Sequence, residues 1–74
     1  MMKELASVVL TDDLPEYGLE QGDVGTVVLV HGGAGYEVEF ATLDGETLAV
    51  VSLLSSQVRP ISRKEIAHAR PVAR

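Results

Sequence analysis

The side chains that could act in catalysis are few in this sequence. Its two histidines, His31 and His68, occur in a chain without cysteine and without a recognisable serine, histidine and aspartate motif. His31 precedes a glycine-rich turn and His68 falls in a short C-terminal segment, so we expect both to be exposed polar residues. The sequence therefore predicts a protein that is not an enzyme.

Carboxylates and glycines offer two further kinds of chemistry, cation binding and phosphate binding. The acids that precede the first long strand do not follow the spacing of a calcium-binding loop. These acids are Asp12, Asp13, Glu16, Glu20 and Asp23. Gly32-Gly33-Ala34-Gly35 could cradle a phosphate only if a helix followed directly, and a strand is predicted there instead. We expect no metal and no cofactor.

Size and composition limit the chain to one small domain. The 74 residues form a single domain, 1–74, that buries a modest share of its surface and gains from oligomerisation. The absence of cysteine favours a reducing compartment, and we expect a bacterial cytoplasm. No signal peptide is recognisable, and no stretch approaches the roughly 20 apolar residues of a membrane span.

Charge divides the chain into an acidic body and a basic end. Residues 1–56 hold ten acids and one base, whereas residues 57–74 hold five bases and one acid. The acidic body argues against a nucleic-acid partner, because such binding depends on cations that neutralise phosphates. The basic end is either a solvated terminus or a segment that docks on the acidic body of its own or a neighbouring subunit.

Short β-branched runs separated by Gly and Pro predict an all-β fold, a small SH3-like barrel of about five antiparallel strands. The barrel is predicted over about 6–61, with structural turns at Gly22, Gly25 and Gly45. Leu14, Tyr17 and Leu19 are expected to cover one end of the core. The remaining expected elements are a short helix over about 62–69, opened by a capping box, and a frayed tail over 70–74.

The segment Tyr36-Glu37-Val38-Glu39-Phe40 alternates cleanly between apolar and acidic residues. This period predicts a strand whose apolar side chains enter the core while Glu37 and Glu39 face water. With Asp44 and Glu46 in the following turn, these acids form a predicted acidic face that would steer a basic partner.

Aliphatic residues exceed what the core of one small barrel needs. We expect the surplus to form a surface for self-association, so the protein would be a homo-oligomer. The predicted interface residues are Val28, Val30, Ala49, Val51, Leu53 and Leu54. The alternative is that the C-terminal helix covers them within one subunit, through Ile66 and Ala69.

Two segments together carry a resemblance to a known family. Gly22-Asp23-Val24-Gly25-Thr26-Val27-Val28 and Tyr36-Glu37-Val38-Glu39-Phe40 resemble the signature of small bacterial proteins known only as a domain of unknown function. The resemblance spans about residues 6 to 60 and implies an SH3-like barrel without assigned activity. The first segment is also similar to KOW-type ribosomal and transcription-factor modules and to accessory subunits of some metalloenzymes.

These observations favour a non-enzymatic module that binds itself and a second protein, in the manner of an antitoxin or immunity protein. Two alternatives stay open. One is a KOW-like nucleic-acid-binding module that uses the basic C-terminal residues, and the other is an accessory subunit of an enzyme.

Overall fold

Five antiparallel strands form one sheet in the computed structural model, which describes residues 3–72. The strands are β1 (Ser7–Leu10), β2 (Val24–His31), β3 (Gly35–Ala41), β4 (Thr47–Leu54) and β5 (Val58–Pro60). Single turns of 3-10 helix lie at Pro15–Tyr17 and Ser55–Gln57. The predicted all-β class with about five antiparallel strands is confirmed.

The strands are ordered β4-β3-β2-β1-β5 across an open sheet. Each strand pairs with the next along the chain as far as β4, and β5 then returns to β1, where Arg59 lies opposite Val9. The first residues of β2 pair with β1, and β3 pairs with β2 from Thr26 to His31. Within residues 3–72, β4 and β5 are therefore the two edge strands.

The core is aliphatic and is centred on β3. Tyr36, Val38 and Phe40 are buried, and the intervening Glu37 and Glu39 lie on the opposite face, so the predicted alternation is confirmed. Each fully buried Val, Leu or Phe contributes about 1.5–3 kcal/mol relative to an exposed one. The buried hydrophobic residues are Val8, Leu10, Leu14, Leu19, Val27, Tyr36, Val38, Phe40, Val51, Leu53 and Val58.

A β-bulge at Val28 changes which side chains of β2 enter the core. Val27 lies opposite Val38, but the next pair is Leu29 with Glu37, so Val28 is an extra residue. Val27 is buried before the bulge and Val30 packs against the core after it. Val28 and Leu29 consequently both lie exposed, which explains how a continuous apolar run fits a strand with one buried face.

The loop between β1 and β2 covers one end of the core through two leucines. Leu14 and Leu19 are buried and exchange backbone hydrogen bonds of 2.9 and 3.1 Å. The prediction that Tyr17 joins them is wrong, because Tyr17 lies in the 3-10 turn between them and half of it is exposed.

The predicted C-terminal helix is not present, and the segment from 61 to 72, here called the C-terminal arm, has one turn and no helix or strand. The capping contacts do form: Ser62 N–H donates to the Glu65 carboxylate at 2.7 Å, and Lys64 N–H donates to the Ser62 hydroxyl at 3.2 Å. The predicted fraying covered 70–74, of which residues 73 and 74 lie outside the described residues.

Two physical effects explain why the turn does not propagate into a helix. Helix nucleation is unfavourable, and about eight residues provide too few hydrogen bonds to offset it. Glu65 is also bound by Arg59 of β5, whose guanidinium donates to both carboxylate oxygens at 2.8 and 2.7 Å. That bidentate contact, followed by the Ser62 N–H, lowers the pKa of Glu65 to about 2.

Gly25 lies within a strand, where its lack of a side chain leaves room for core residues of β3. The prediction that it lies in a turn is wrong. Gly25 lies inside β2, is buried, and has no positive φ, unlike Gly22 and Gly45 at φ 96° and 95°. A Cβ atom on Gly25 would lie 2.6 Å from Val38 Cγ1 and 2.9 Å from Phe40 Cε1. A side chain here would therefore push the two core residues of β3 away from β2.

We expect Gly25→Ala to destabilise the fold by about 1–3 kcal/mol, because the added methyl overpacks the core. The matched control is Gly32→Ala in the β2–β3 turn, where an added Cβ meets nothing within 4 Å and no positive φ is required. The control should change stability by less than about 0.5 kcal/mol. Urea unfolding followed by circular dichroism measures both, and equal midpoints for the two variants would contradict the prediction.

Candidate functional site

The six residues predicted to form an interface do not share one surface. Val51 and Leu53 are 4 % exposed and belong to the core, so they are not available for contact with a partner. Val30 and Ala49 are partly buried and pack against that core. Of the predicted set, Val28 and Leu54 face solvent.

The exposed apolar side chains of the sheet include two residues that the sequence did not single out, Leu29 and Val50. Val50 is 54 % exposed and Leu54 is 61 % exposed, and both belong to β4. Leu29 lies on β2, two strands from β4, opposite Glu37 of the intervening β3. The alternation along β4 could have assigned Val50 to the outer face, whereas the exposure of Leu29 follows from a bulge that has no clear sequence signal.

We use the name outer apolar patch for Val28 and Leu29 of β2 together with Val50 and Leu54 of β4, which lie on the same face with Glu37 and Glu39 of β3 between them. β4 is an edge strand that pairs with β3 alone in the part of the chain that the structure describes. β4 is eight residues long and contains no charged residue and no proline. Natural edge strands are usually short or carry such residues, because unpaired backbone groups attract further strands.

The predicted acidic face is held in place by neighbouring hydroxyl groups. Glu37 accepts a hydrogen bond from the Ser52 hydroxyl on β4, and its Oε2 lies 2.7 Å from His31 Nε2. The Ser52 hydrogen bond, followed by the His31 contact, lowers the pKa of Glu37. Glu39 accepts from the Thr47 hydroxyl in the same way.

Asp44 and Glu46 belong to the turn between β3 and β4. The Thr42 hydroxyl donates to Asp44 and in turn accepts the Glu46 N–H at 3.1 Å. The hydrogen bond from Thr42 lowers the pKa of the Asp44 carboxyl. These contacts shape the hairpin turn, and the four acids follow one another along β3 and into that turn.

Glu37 brings His31 and Ser52 together on one carboxylate, but the residues that the structure describes form no cluster of metal ligands. Within residues 3–72, no group of three or more histidines, aspartates and glutamates is arranged to hold a metal ion. His31 and Ser52 both contact Glu37, so the carboxylate separates a potential base from a potential nucleophile. Residues 3–72 also contain no helix that is long and apolar enough to cross a membrane.

An ion pair between the C-terminal arm and the loop before β2 is the most enclosed polar contact of the structure's described part. Arg70 donates through Nε and Nη2 to the two carboxylate oxygens of Asp23 at 2.8 and 2.6 Å. The Nη2 group also donates to the Gly18 carbonyl at 3.0 Å, and Nη1 lies 3.6 Å from Glu20 Oε2. The basic end therefore docks on the acidic body of its own chain, one of the two expected arrangements.

Asp23 is well prepared to receive a guanidinium group. Its side chain is 17 % exposed, and it also accepts the Glu20 N–H at 2.8 Å. Burial acts to raise the pKa of Asp23, but the hydrogen bonds from Arg70 and from Glu20, with the charge of Arg70, outweigh it and lower the pKa. Bidentate arginine contacts of this kind are about twice as strong as neutral hydrogen bonds.

The arm and the sheet enclose a groove of about 640 Å³. Residues 67–72 form one wall, and the opposite wall includes Leu19 and Val24, Phe40 of β3 and Leu48 of β4. Ile66 is 95 % exposed, so the arm does not cover the outer apolar patch through Ile66. The groove lies at the beginning of the edge strand β4.

Comparison with known proteins gives a family and nothing about activity. Residues 4–60 match the sequence profile described as a domain of unknown function, DUF4926. The chain belongs to the DUF4926 family. The match includes all five strands of the DUF4926 sheet and Asp23, whereas the C-terminal arm with Arg70 lies beyond it. No curated protein and no solved structure matches the chain.

We expect the Asp23 carboxyl of this DUF4926 chain to titrate below its ordinary value of 3.8. Because the folded-state pKa is the lower one, ionised Asp23 stabilises the fold fully above pH 3.8, and this stability is lost as pH falls through the lowered value. Arg70→Ala should raise the Asp23 pKa, because it removes the hydrogen bond and the positive charge that counteract the effect of burial.

Carbon-detected NMR titration of the aspartate side chains measures this change. Arg63→Ala removes the same charge from the arm outside the Asp23 contact and is the control. An Asp23 midpoint that is identical in the Arg70 and Arg63 variants would contradict the assignment.

Proposed function

We propose that the chain is a non-enzymatic protein-binding module whose first partner is a second copy of itself. The observation that carries this proposal is the edge strand β4, which offers eight residues of backbone without a charge or a proline. A chain of 74 residues also has a small core, and self-association is a common way to add stability at this size.

The outer apolar patch also supports β4 as the surface through which two copies associate. Val50 and Leu54 lie on β4 itself, and Val28 and Leu29 lie two strands away on the same sheet. Two copies that pair β4 with β4 in an antiparallel, two-fold arrangement would extend the sheet and place Val50 and Leu54 of each copy beside the edge strand of the other. These two residues would then make apolar contacts next to the new backbone hydrogen bonds.

We infer that the sheet is an SH3-like barrel in a protein of the bacterial cytoplasm. The barrel is supported by the position of β1 between β2 and β5, by the β2 strand shared between β1 and β3, and by the bulge at Val28 that bends it. The cytoplasmic location is supported by the lack of cysteine.

A basic protein is the second partner that we propose, with Glu37, Glu39, Asp44 and Glu46 steering its approach. Glu37 and Glu39 stand on the strand next to β4, so a partner drawn by them would also meet the outer apolar patch. Nucleic acid is a weaker candidate, because two cations of the basic end, Arg59 and Arg70, are bound to Glu65 and Asp23.

We expect Val50→Lys to shift the protein from dimer to monomer. The added charge lies on the outer face of the edge strand and removes an apolar contact with the partner strand, and lysines on natural edge strands oppose the pairing of strands in this way. Ile66→Lys is the matched control: it also replaces an exposed aliphatic residue by lysine, but in the arm.

Light scattering coupled to size exclusion measures the mass of each variant over a range of concentrations. The dimer's dissociation constant should rise at least tenfold for Val50→Lys and change little for Ile66→Lys. A native chain that stays monomeric at millimolar concentration would overturn the proposal, as would equal dissociation constants for the two variants.

A further inference from the structure

The C-terminal arm is attached to the body of the protein at its two ends. Residues 61–69 are all exposed, and within the described chain their hydrogen bonds stay inside residues 59–65. Arg70 then binds Asp23, Gly18 and Glu20. The turn at residues 62–65 is held by Arg59, so residues 66–69 are the linker between that contact and the anchor, Arg70, which has a defined receptor.

The receptor belongs to the part of the chain that matches the family, and the anchor does not. Gly18, Glu20 and Asp23 lie within residues 4–60, whereas Arg70 lies beyond them. The loop that holds the receptor is built without the arm: Asp13 accepts the Gln21 N–H at 2.8 Å, and Asp23 accepts the Glu20 N–H. A loop shaped by its own contacts can receive a guanidinium group from any chain that presents one.

The receptor and the beginning of the edge strand β4 line the same groove. The groove between arm and sheet is lined by Leu48 at the beginning of β4 as well as by Leu19 and Val24 beside the receptor. A second copy that pairs with β4 would therefore stand next to this groove. When the Arg59–Glu65 contact is released, the nine residues 61–69 can extend to about 30 Å, comparable to the 34 × 29 × 21 Å dimensions of the molecule.

We propose that the arm is exchanged between copies: when two chains associate, Arg70 of each binds Asp23 of the other. Exchange of an identical segment reproduces the Arg70 contacts of the closed monomer, so its cost lies in the linker, including the Arg59–Glu65 contact that extension releases. This inference rests on the self-association proposed above.

A mixture of two variants tests the exchange directly. The first copy is nitrogen-15 labelled and carries Arg70→Ala, so its receptor is empty and it has no anchor. The second copy is unlabelled and carries Asp23→Asn, so it has an anchor but its own receptor lacks the charge. Amide NMR signals of Gly22, Asp23 and Val24 in the labelled copy report whether a guanidinium occupies its receptor.

We expect these amide signals to return to their native positions as the unlabelled copy is added, because the receptor can be filled only from the other chain. A second unlabelled copy that carries both Asp23→Asn and Arg70→Ala is the control and should leave the signals unmoved. Circular dichroism of each variant alone verifies that it is folded.

The outcomes separate this inference from the proposal on which it rests. Signals that stay unmoved in a mixture that light scattering finds dimeric would overturn arm exchange and leave self-association standing. A mixture that is monomeric throughout would overturn self-association. Signals that return equally when both copies carry Val50→Lys would overturn the link between exchange and the β4 edge.

Discussion

The structure depends on the packing of β2 against the inward side chains of β3. Val38 and Phe40 occupy the space that a side chain at Gly25 would need, so the beginning of β2 lies directly against the core side chains of β3. From this contact β2 continues past a bulge, and β1 and β5 attach on the other side. The chain has no cysteine and few aromatic residues, so the small core is stabilised mainly by the close packing of these two strands.

The strands were predictable because alternation along β3 and turn residues at Gly22 and Gly45 act locally. The bulge at Val28 was not, because an extra residue in an apolar run leaves the composition of the strand unchanged. For the same reason Val51 and Leu53 were assigned to a surface although they complete the core. Burial of a Val or Leu on a two-sided apolar strand depends on register, which is set by the neighbouring strand.

Charge was predictable as a pattern, but its pairing was not. The acidic body and basic end were visible in the sequence, and so was the capping signal at Ser62 and Glu65. The sequence could not reveal that Arg59 binds Glu65 or that Arg70 reaches Asp23, 47 residues earlier in the chain. Both contacts are bidentate. They fix the C-terminal arm, which has no helical hydrogen bonds to do so.

The two edges of the sheet are unequal, and this decides what kind of assembly the protein can form. β5 has three residues, of which Arg59 is charged and Pro60 lacks an N–H group, so it offers little to an incoming strand. A sheet with two open edges can grow without limit into a fibre, whereas a sheet with one open edge is complete when that edge has met its own copy. In the self-association proposed above, strand addition would stop at two chains, because the short β5 with Arg59 and Pro60 offers a third chain little to pair with.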